Sequence, residues 1–91
     1  MPGRHNRNLI GPRLREMRMK RHCTQRTLAD KLRDLGCRQA TRSWVSKVES
    51  RQVAVNDYHL ILLAKTLNIQ LTELLAPLAR QAAEIGKKHR N

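Results

Sequence analysis

The chain has 91 residues and carries 19 Lys and Arg against seven Asp and Glu, which gives a formal net charge of +12 and a pI near 11.3. This length is enough for one small domain. So large a positive charge indicates a polyanionic partner, nucleic acid first of all, because like charges repel one another within a compact fold. A membrane surface is less favoured, since the basic residues are spread along the chain rather than along one amphipathic helix.

Composition and spacing exclude several other classes of protein. Cys23 and Cys37 lack the C-x2-C spacing of a structural zinc site, so we expect no metal. The four histidines are predicted to lie on tails and surfaces without an arranged nucleophile or carboxylate pair, so we expect neither an enzyme nor a cofactor. The first residues lack the apolar segment of a signal peptide, and the aliphatic run at 60–64 is too short to span a bilayer. We therefore expect a cytoplasmic protein with reduced thiols.

Apolar residues recur at helical spacing along most of the chain, and no stretch alternates as a β-strand would. A first helix is expected over 10–21, a second from the cap Thr24 to Gly36, and a third from the cap Thr41 to Ser50. The apolar residues of these three helices are predicted to face the core: Ile10, Leu14, Met17, Leu28, Ala29, Leu32, Leu35, Val45 and Val48.

The second half of the chain continues the helical pattern. Asn56 can cap a fourth helix, and Asn68 tolerates the left-handed conformation that would end it. A short fifth helix is expected over 71–75, and a proline can begin one more helix over 77–85. The predicted inner residues of this half are Leu60, Ile61, Leu63, Ala64, Leu67, Leu71, Leu74 and Leu75.

The two ends of the chain are basic and differ from the middle. We expect a flexible basic arm over 1–8, a helical domain over 9–76, and a C-terminal helix with a basic tail over 77–91. Arg4 and Arg7 in the arm could enter a DNA minor groove. A tail that adds only diffuse electrostatic attraction explains the same residues equally well.

The stretch TRSWVSKVES, residues 41–50, divides into two sides on a helical projection. Val45 and Val48 fall on one side, and polar side chains fall on the other: Arg42, Ser43, Ser46 and Lys47. A helix that enters a DNA major groove needs this division, because its apolar side must hold it to the protein while its polar side meets base edges. An ordinary solvated helix has the same periodicity, so the pattern alone leaves both interpretations open.

Three segments in order, IGPRLREMRMKRHCTQRTLADKL, TRSWVSKVES and VNDYHLILLAKTLNIQLTELL, resemble the XRE-type helix-turn-helix of phage Cro and repressor proteins over residues 10–75. The most specific parts are TQ at 24–25, LA at 28–29, Ser46 with Glu49, and LLAKTLNIQLTELL. The resemblance implies an all-α fold, a compact five-helix lambda-repressor-like helix-turn-helix domain. The predicted C-terminal helix would be an addition to it.

The resemblance also implies roles for individual residues. Gln25 matches a glutamine that contacts a DNA phosphate, and Glu49 matches a glutamate that pairs with an arginine of the first helix, here Arg18. The residues that match the recognition surface are Thr41, Arg42, Ser43, Trp44, Ser46 and Lys47. Further phosphate contacts are expected from three residues of the loop that follows: Arg51, Gln52 and Asn56.

The chain departs from the family pattern at three places. The segment between Leu32 and Thr41 is several residues longer, so the second helix could gain a turn, and residues 33–40 could reach DNA. Arg51 and His22 stand where the family often has glycine, or glycine and asparagine, at positions of positive φ. Trp44 either packs against the longer connecting turn or touches a sugar or a thymine methyl group.

The sequence predicts a sequence-specific double-stranded DNA-binding transcriptional regulator, a homodimeric repressor that reads the major groove with the helix at 41–50. The alternative is an antitoxin-like or adaptor module whose main partner is another protein. That partner would bind Leu62 and the apolar stripe of the C-terminal helix at 78–85. A third interpretation, RNA or architectural DNA binding through charge alone, is disfavoured because the chain has almost no aromatic residues for stacking on bases.

Overall fold

The computed structural model describes residues 7–88, apart from the side chains at 81, 82 and 84–88. The described residues form a compact all-α fold of five helices and contain no strand. In chain order the helices are α1 Gly11–Lys20, α2 Gln25–Asp34, α3 Arg42–Glu49, α4 Asp57–Leu67 and α5 Leu71–Lys88. The predicted all-α class and the order of the first four helices are confirmed.

The structure confirms the predicted helix caps, although α2 ends at Asp34, two residues before the predicted end at Gly36. Thr24, Thr41 and Asn56 each accept, through a side-chain oxygen, a hydrogen bond from the backbone N–H three residues ahead. These bonds satisfy N–H groups that the first turn of a helix cannot pair internally. Asn68 ends α4 in the left-handed conformation, with φ 54°. Short polar residues at these positions therefore divide the chain into helices.

The predicted short fifth helix and separate C-terminal helix are one continuous helix, so the break expected at Pro77 is wrong. Pro77 lies inside α5, where it has no N–H to donate to the carbonyl of Glu73 one turn earlier. The Nε of Arg13 in α1 donates to that carbonyl instead, at 2.8 Å. A contact from another helix thus satisfies the acceptor that the proline leaves without its usual donor.

The helices pack around one small core. α3 contacts α1 and α2, α4 contacts α2 and α5, and α1 contacts α5. Every helix therefore touches at least two others, and α3 packs between the first two. The buried apolar residues are Ile10, Leu14, Met17, Leu28, Ala29, Leu32, Cys37, Ala40, Val45, Val48, Leu62, Leu63, Ala64, Leu67 and Leu74.

Several residues that were predicted to face the core are exposed to solvent instead. Ile61 is 54% exposed, whereas Leu62, predicted to be a spare surface residue, is buried. Leu35 and Leu71 are also exposed, and Leu78 of the predicted apolar stripe packs partly against the core. The error on α4 arises because apolar residues surround almost the whole helix, so their periodicity does not define an inner side.

The last residue of the predicted arm, Asn8, packs against the helices. Asn8 is buried, and its Nδ2 donates to the backbone carbonyls of Val48 at 3.1 Å and Val53 at 2.8 Å. Its side chain therefore joins the start of the chain to the end of α3 and to the loop beyond. Arg4 and the rest of residues 1–6 of the predicted arm lie outside the described residues.

Substitution of alanine for Gly11 or for Gly36 is predicted to destabilise the fold, for a different reason at each position. A Cβ at Gly11 would lie 2.4 Å from the carbonyl oxygen of Val48 and 2.7 Å from that of Glu49, because α1 starts against the backbone of α3. Gly36 has φ +99° and open space around it. We expect Gly11→Ala to lower the free energy of unfolding by about 2–3 kcal/mol through overpacking, and Gly36→Ala by about 1 kcal/mol through backbone strain.

Urea unfolding of both variants beside the parent chain measures these differences. A Gly11→Ala variant as stable as Gly36→Ala would contradict the close approach of α1 to α3.

Candidate nucleic-acid interface

The third helix presents the predicted polar side to solvent. Val45 and Val48 are fully buried, and the Oγ1 of Thr41 caps the helix by accepting from the N–H of Trp44 at 3.0 Å. Four exposed side chains form what we call the α3 face: Arg42, Ser43, Ser46 and Lys47. The predicted division of this helix into an anchored side and an exposed polar side is therefore confirmed.

Two shallow grooves border the α3 face. One is lined by Arg18, Thr24, Gln25, Arg26 and Arg42, and the other by Arg15, Arg18, Gln25, Ser46, Glu49 and Ser50. The two grooves share Arg18 and Gln25, and together they contain four arginines and one carboxylate. The N-terminus of α2, whose dipole favours anions, opens onto the first groove. The arginines outnumber the carboxylate, so this surface has a positive electrostatic potential.

A buried ion pair lies between the grooves. The Nε of Arg18 donates to Oε2 of Glu49 at 2.6 Å, and its Nη2 donates to Oε1 at 3.1 Å. The Nη1 of Arg18 donates to the carbonyl of Cys23 at 2.8 Å. The bond to the Glu49 carboxylate raises the pKa of the Arg18 guanidinium, which keeps the charge on this half-buried group. The predicted structural pair is thus confirmed as a two-point contact between α1 and α3.

Gln25 joins the same network. Its Nε2 donates to Oε1 of Glu49 at 3.0 Å, so the amide at the start of α2 also holds α3. Gln25 is half-buried and lines both grooves, beside the exposed Arg26. Phosphate contact by Gln25 stays a prediction, to which the structure adds a role in orienting the α3 face.

Two Arg–Glu pairs of this chain differ in burial, and we expect them to differ in stability. Glu49→Ala leaves the Arg18 guanidinium without its carboxylate in a mostly buried site, which lowers the free energy of unfolding by about 3 kcal/mol or more. Glu16→Ala removes the exposed partner of Arg13 and serves as the matched control, with little change expected. Chemical unfolding of the two variants measures both effects, and equal losses would show that the buried pair contributes nothing special.

The loop after α3 begins with a strained residue. Arg51 has φ 64°, and its N–H and that of Gln52 donate to the carbonyls of Val48 at 3.0 Å and Lys47 at 2.8 Å. Helices that end with this pair of hydrogen bonds usually have a glycine at the position that Arg51 occupies here. The positive φ of an arginine at this position therefore lowers the stability of the fold by about 1 kcal/mol. The Nε of Arg51 donates to the carbonyl of Asn8 at 2.8 Å. The positive φ that was expected at Arg51 is confirmed, as it is at His22, with φ 53°.

The other predicted phosphate contacts have local roles. Gln52 is exposed and donates through Nε2 to the Oγ of Ser50 at 2.7 Å. Asn56 caps α4 by accepting the N–H of His59 at 2.8 Å, and it is separate from the two grooves. The backbone N–H of Arg7 donates to the carbonyl of Arg51 at 3.1 Å, so the base of the predicted arm lies beside this loop. Their contacts with phosphate stay predictions.

α2 ends at Asp34, and the longer segment that follows it forms a turn before α3 begins at Arg42. Hydrogen bonds and buried side chains hold this turn in place. Gly36 takes the left-handed conformation, and Cys37 and Ala40 are buried. The Nη1 of Arg33 donates to the carbonyl of Ala40 at 2.7 Å. The turn is therefore held from both sides and delivers the chain to Thr41 in a fixed position.

Trp44 packs against α4. Its ring meets the ring of His59 edge to face, with the centroids 5.1 Å apart, and it lies half-buried against the core. The side-chain amide of Gln39 in the turn lies 2.6 Å from Nε2 of the same histidine. One histidine thus connects the turn, α3 and α4. His59 is buried, so its predicted surface position is wrong.

The hydrogen bonds of His59 require a neutral ring. Its Nδ1 accepts the backbone N–H of Asn56 at 3.2 Å. Its Nε2 lies 2.6 Å from the amide nitrogen Nε2 of Gln39, which is also a donor, so a doubly protonated ring would face donors at both of its nitrogens. A protonated ring would place an N–H against the N–H of Asn56 and break the cap of α4.

The stability of the protein is predicted to fall in mild acid because of His59. Burial lowers the pKa of His59, so the unfolded chain takes up this proton near pH 6.5, at a higher pH than the folded chain does. The contribution is complete at neutral pH and is lost as the pH falls through about 6.5 towards the lower folded pKa. His59→Gln, which cannot titrate, should lose less stability than the parent chain between about pH 7.5 and 5.5. Thermal unfolding at the two pH values measures this, and parallel losses would contradict it.

The described residues contain no cluster of three or more His, Cys, Asp or Glu that could hold a metal ion. Within residues 7–88, no helix is long and apolar enough to cross a membrane. Comparison with protein-family models, with curated proteins and with solved structures found no match to this chain.

Two residues that build this region, Asn8 and His59, were not predicted to do so. The role of Asn8 had a local signal, since it stands three residues before Gly11 and Pro12, which begin α1. A short polar side chain just before a helix can accept hydrogen bonds from the unpaired backbone N–H groups of its first turn. The Oδ1 of Asn8 indeed accepts the N–H of Gly11 at 2.8 Å. His59 had a local signal too, since it occupies the third position after the cap Asn56, where a side chain can bond back to the cap residue.

Proposed function

We propose that this protein is a sequence-specific double-stranded DNA-binding transcriptional regulator of the XRE-type helix-turn-helix class. The observation that carries the proposal is the α3 face. Four exposed polar side chains lie on a helix whose other side is fully buried, and arginine-lined grooves border it. A helix held in this way can enter a major groove without moving relative to its domain.

The proposed contacts divide into two kinds. Phosphates are held by Gln25 and Arg26 at the N-terminus of α2, with Arg51 and Gln52 beyond α3. Bases are read by the α3 face, in which the fork of Arg42 matches the O6 and N7 atoms of guanine. Ser43, Ser46 and Lys47 offer less selective contacts on the same face. Trp44 is directed towards His59, so we do not propose it as a base reader.

Control of transcription would come from occupation of a promoter by a homodimer. Two copies would bind half-sites about one helical turn of DNA apart, and bound protein would exclude polymerase. The alternative of a protein partner docked on Leu62 has less support, because that side chain is buried and Leu78 packs partly against the core.

Arg42→Ala tests the base-reading role. Duplexes selected by the parent protein from a random pool supply the cognate site, and a shuffled duplex of equal length supplies the reference. We expect the affinity for the cognate site to fall by about 1–3 kcal/mol and the preference for one base pair to relax. The affinity for shuffled DNA should fall much less.

The matched control is Lys20→Ala, which removes one positive charge from a groove beside Ile69 and Glu73, at the junction of α1 with α5. It should weaken binding to both duplexes slightly and equally, as a loss of general electrostatic attraction does. Equal losses on both duplexes for Arg42→Ala would contradict base reading by this residue.

A further inference from the structure

The fourth helix exposes two large apolar side chains on its solvent side. Tyr58 and Ile61 are each 54% exposed and stand three residues apart, which sets them on one side of the helix. The opposite side is buried through His59, Leu62, Leu63, Ala64 and Leu67. With Asp57 and Lys65, which share its arc, this pair forms what we call the α4 stripe.

The α4 stripe is also the least repulsive helical surface in a strongly basic chain. Asp57 and Lys65 are the only Asp, Glu, Lys or Arg residues of α4, so its formal charge is zero. Each of the other four helices carries more basic than acidic residues. Two copies with a charge of +12 each repel one another, and they can approach most closely where neither contributes net charge.

The order of residues in the α4 stripe makes it complementary to itself. Asp57 stands four residues before Ile61, and Lys65 stands four residues after it. In an antiparallel pair of helices with a twofold axis at Ile61, Asp57 of each copy therefore faces Lys65 of the other. The same symmetry sets the two Ile61 side chains together at the centre, flanked by Tyr58.

We propose that the α4 stripe binds a second copy of this chain, with the two α4 helices antiparallel and Ile61 at the twofold axis. The exposed apolar side chains supply the contact area, and the two Asp57–Lys65 pairs fix the direction and the register. The α3 face is on another helix and stays uncovered, so both copies can present it to DNA. The interface is small, and binding of both copies to adjacent half-sites strengthens it.

The biological role of this interface depends on the proposed homodimeric regulator, but the association itself is measurable without DNA. Sedimentation equilibrium of the full chain over a series of concentrations gives the dimer dissociation constant. Ile61→Glu puts two like charges at the axis and should raise that constant by at least about tenfold. Met19→Glu is the matched control, since Met19 is an apolar residue of α1 with a similar exposure of 56%, and it should leave the constant unchanged.

A charge-reversal cycle tests the register. Asp57→Lys and Lys65→Asp, made singly, should each raise the dissociation constant by about tenfold, because each converts two attractions into two repulsions. The double variant restores both pairs and should return to within about threefold of the parent. Asp57 also accepts the N–H of Tyr58 at 2.8 Å, so Asp57→Lys removes a hydrogen bond from the start of α4. The double variant lacks the same bond, so a return of its dissociation constant to the parent value cannot be explained by restored helix stability.

Each outcome supports the proposal or overturns it. A parent chain that stays monomeric, or an Ile61→Glu variant that dimerises like the parent, overturns the interface. A double variant as weak as the single variants overturns the antiparallel register. A monomer that still selects specific DNA removes this interface and keeps the DNA-binding proposal. A dimer without preference for any DNA sequence does the reverse.

Discussion

Three helices meet at the carboxylate of Glu49. Arg18 of α1 holds it through two nitrogens, and Gln25 of α2 donates to one of its oxygens, while Glu49 itself belongs to α3. A buried carboxylate is costly unless its lone pairs are matched, and here the donors are directed at it from two other helices. The position of α3 relative to α1 and α2 follows from this geometry. Because the polar face of α3 is the proposed reading surface, one ion pair governs both the fold and the angle at which that surface is presented.

The end of α3 is fixed as firmly as its middle. α1 starts so close to the carbonyls of Val48 and Glu49 that only glycine fits at position 11, and the amide of Asn8 bonds two backbone carbonyls in the same region. Arg51 then takes a conformation usual for glycine and bonds the Asn8 backbone. The strain there is of about 1 kcal/mol. In return, a guanidinium stands beside the end of α3 instead of a glycine without charge.

The predictions that the structure confirms are those whose cause is local, together with the Arg18–Glu49 pair that the resemblance implied. Thr41 begins α3 through its side chain, and Asn68 ends α4 through its backbone conformation. The neighbouring residues are enough to predict both. The predictions failed where the cause lies far along the chain. The continuity of α5 through Pro77 depends on a donor from α1, and the burial of His59 depends on the connecting turn and on α3. The sequence did not predict which side of α4 faces the core, and so did not predict that Ile61 is exposed, because apolar residues surround nearly the whole helix. The polar side of α3 and its ion pair with Arg18 were predictable, but the contacts of Gln25 with Glu49 and of Asn8 with the end of α3 were not.

The central claim is that the α3 face reads DNA sequence rather than charge alone, and a competition binding titration at two salt concentrations tests it most directly. The parent protein is titrated with DNA from upstream of its own gene against an equal length of shuffled DNA. Specific reading predicts tighter binding to the native fragment by about 10³-fold or more, persisting at the higher salt while both affinities fall. Equal affinities that collapse together as salt rises would contradict the claim and leave only the attraction of a basic protein for a polyanion.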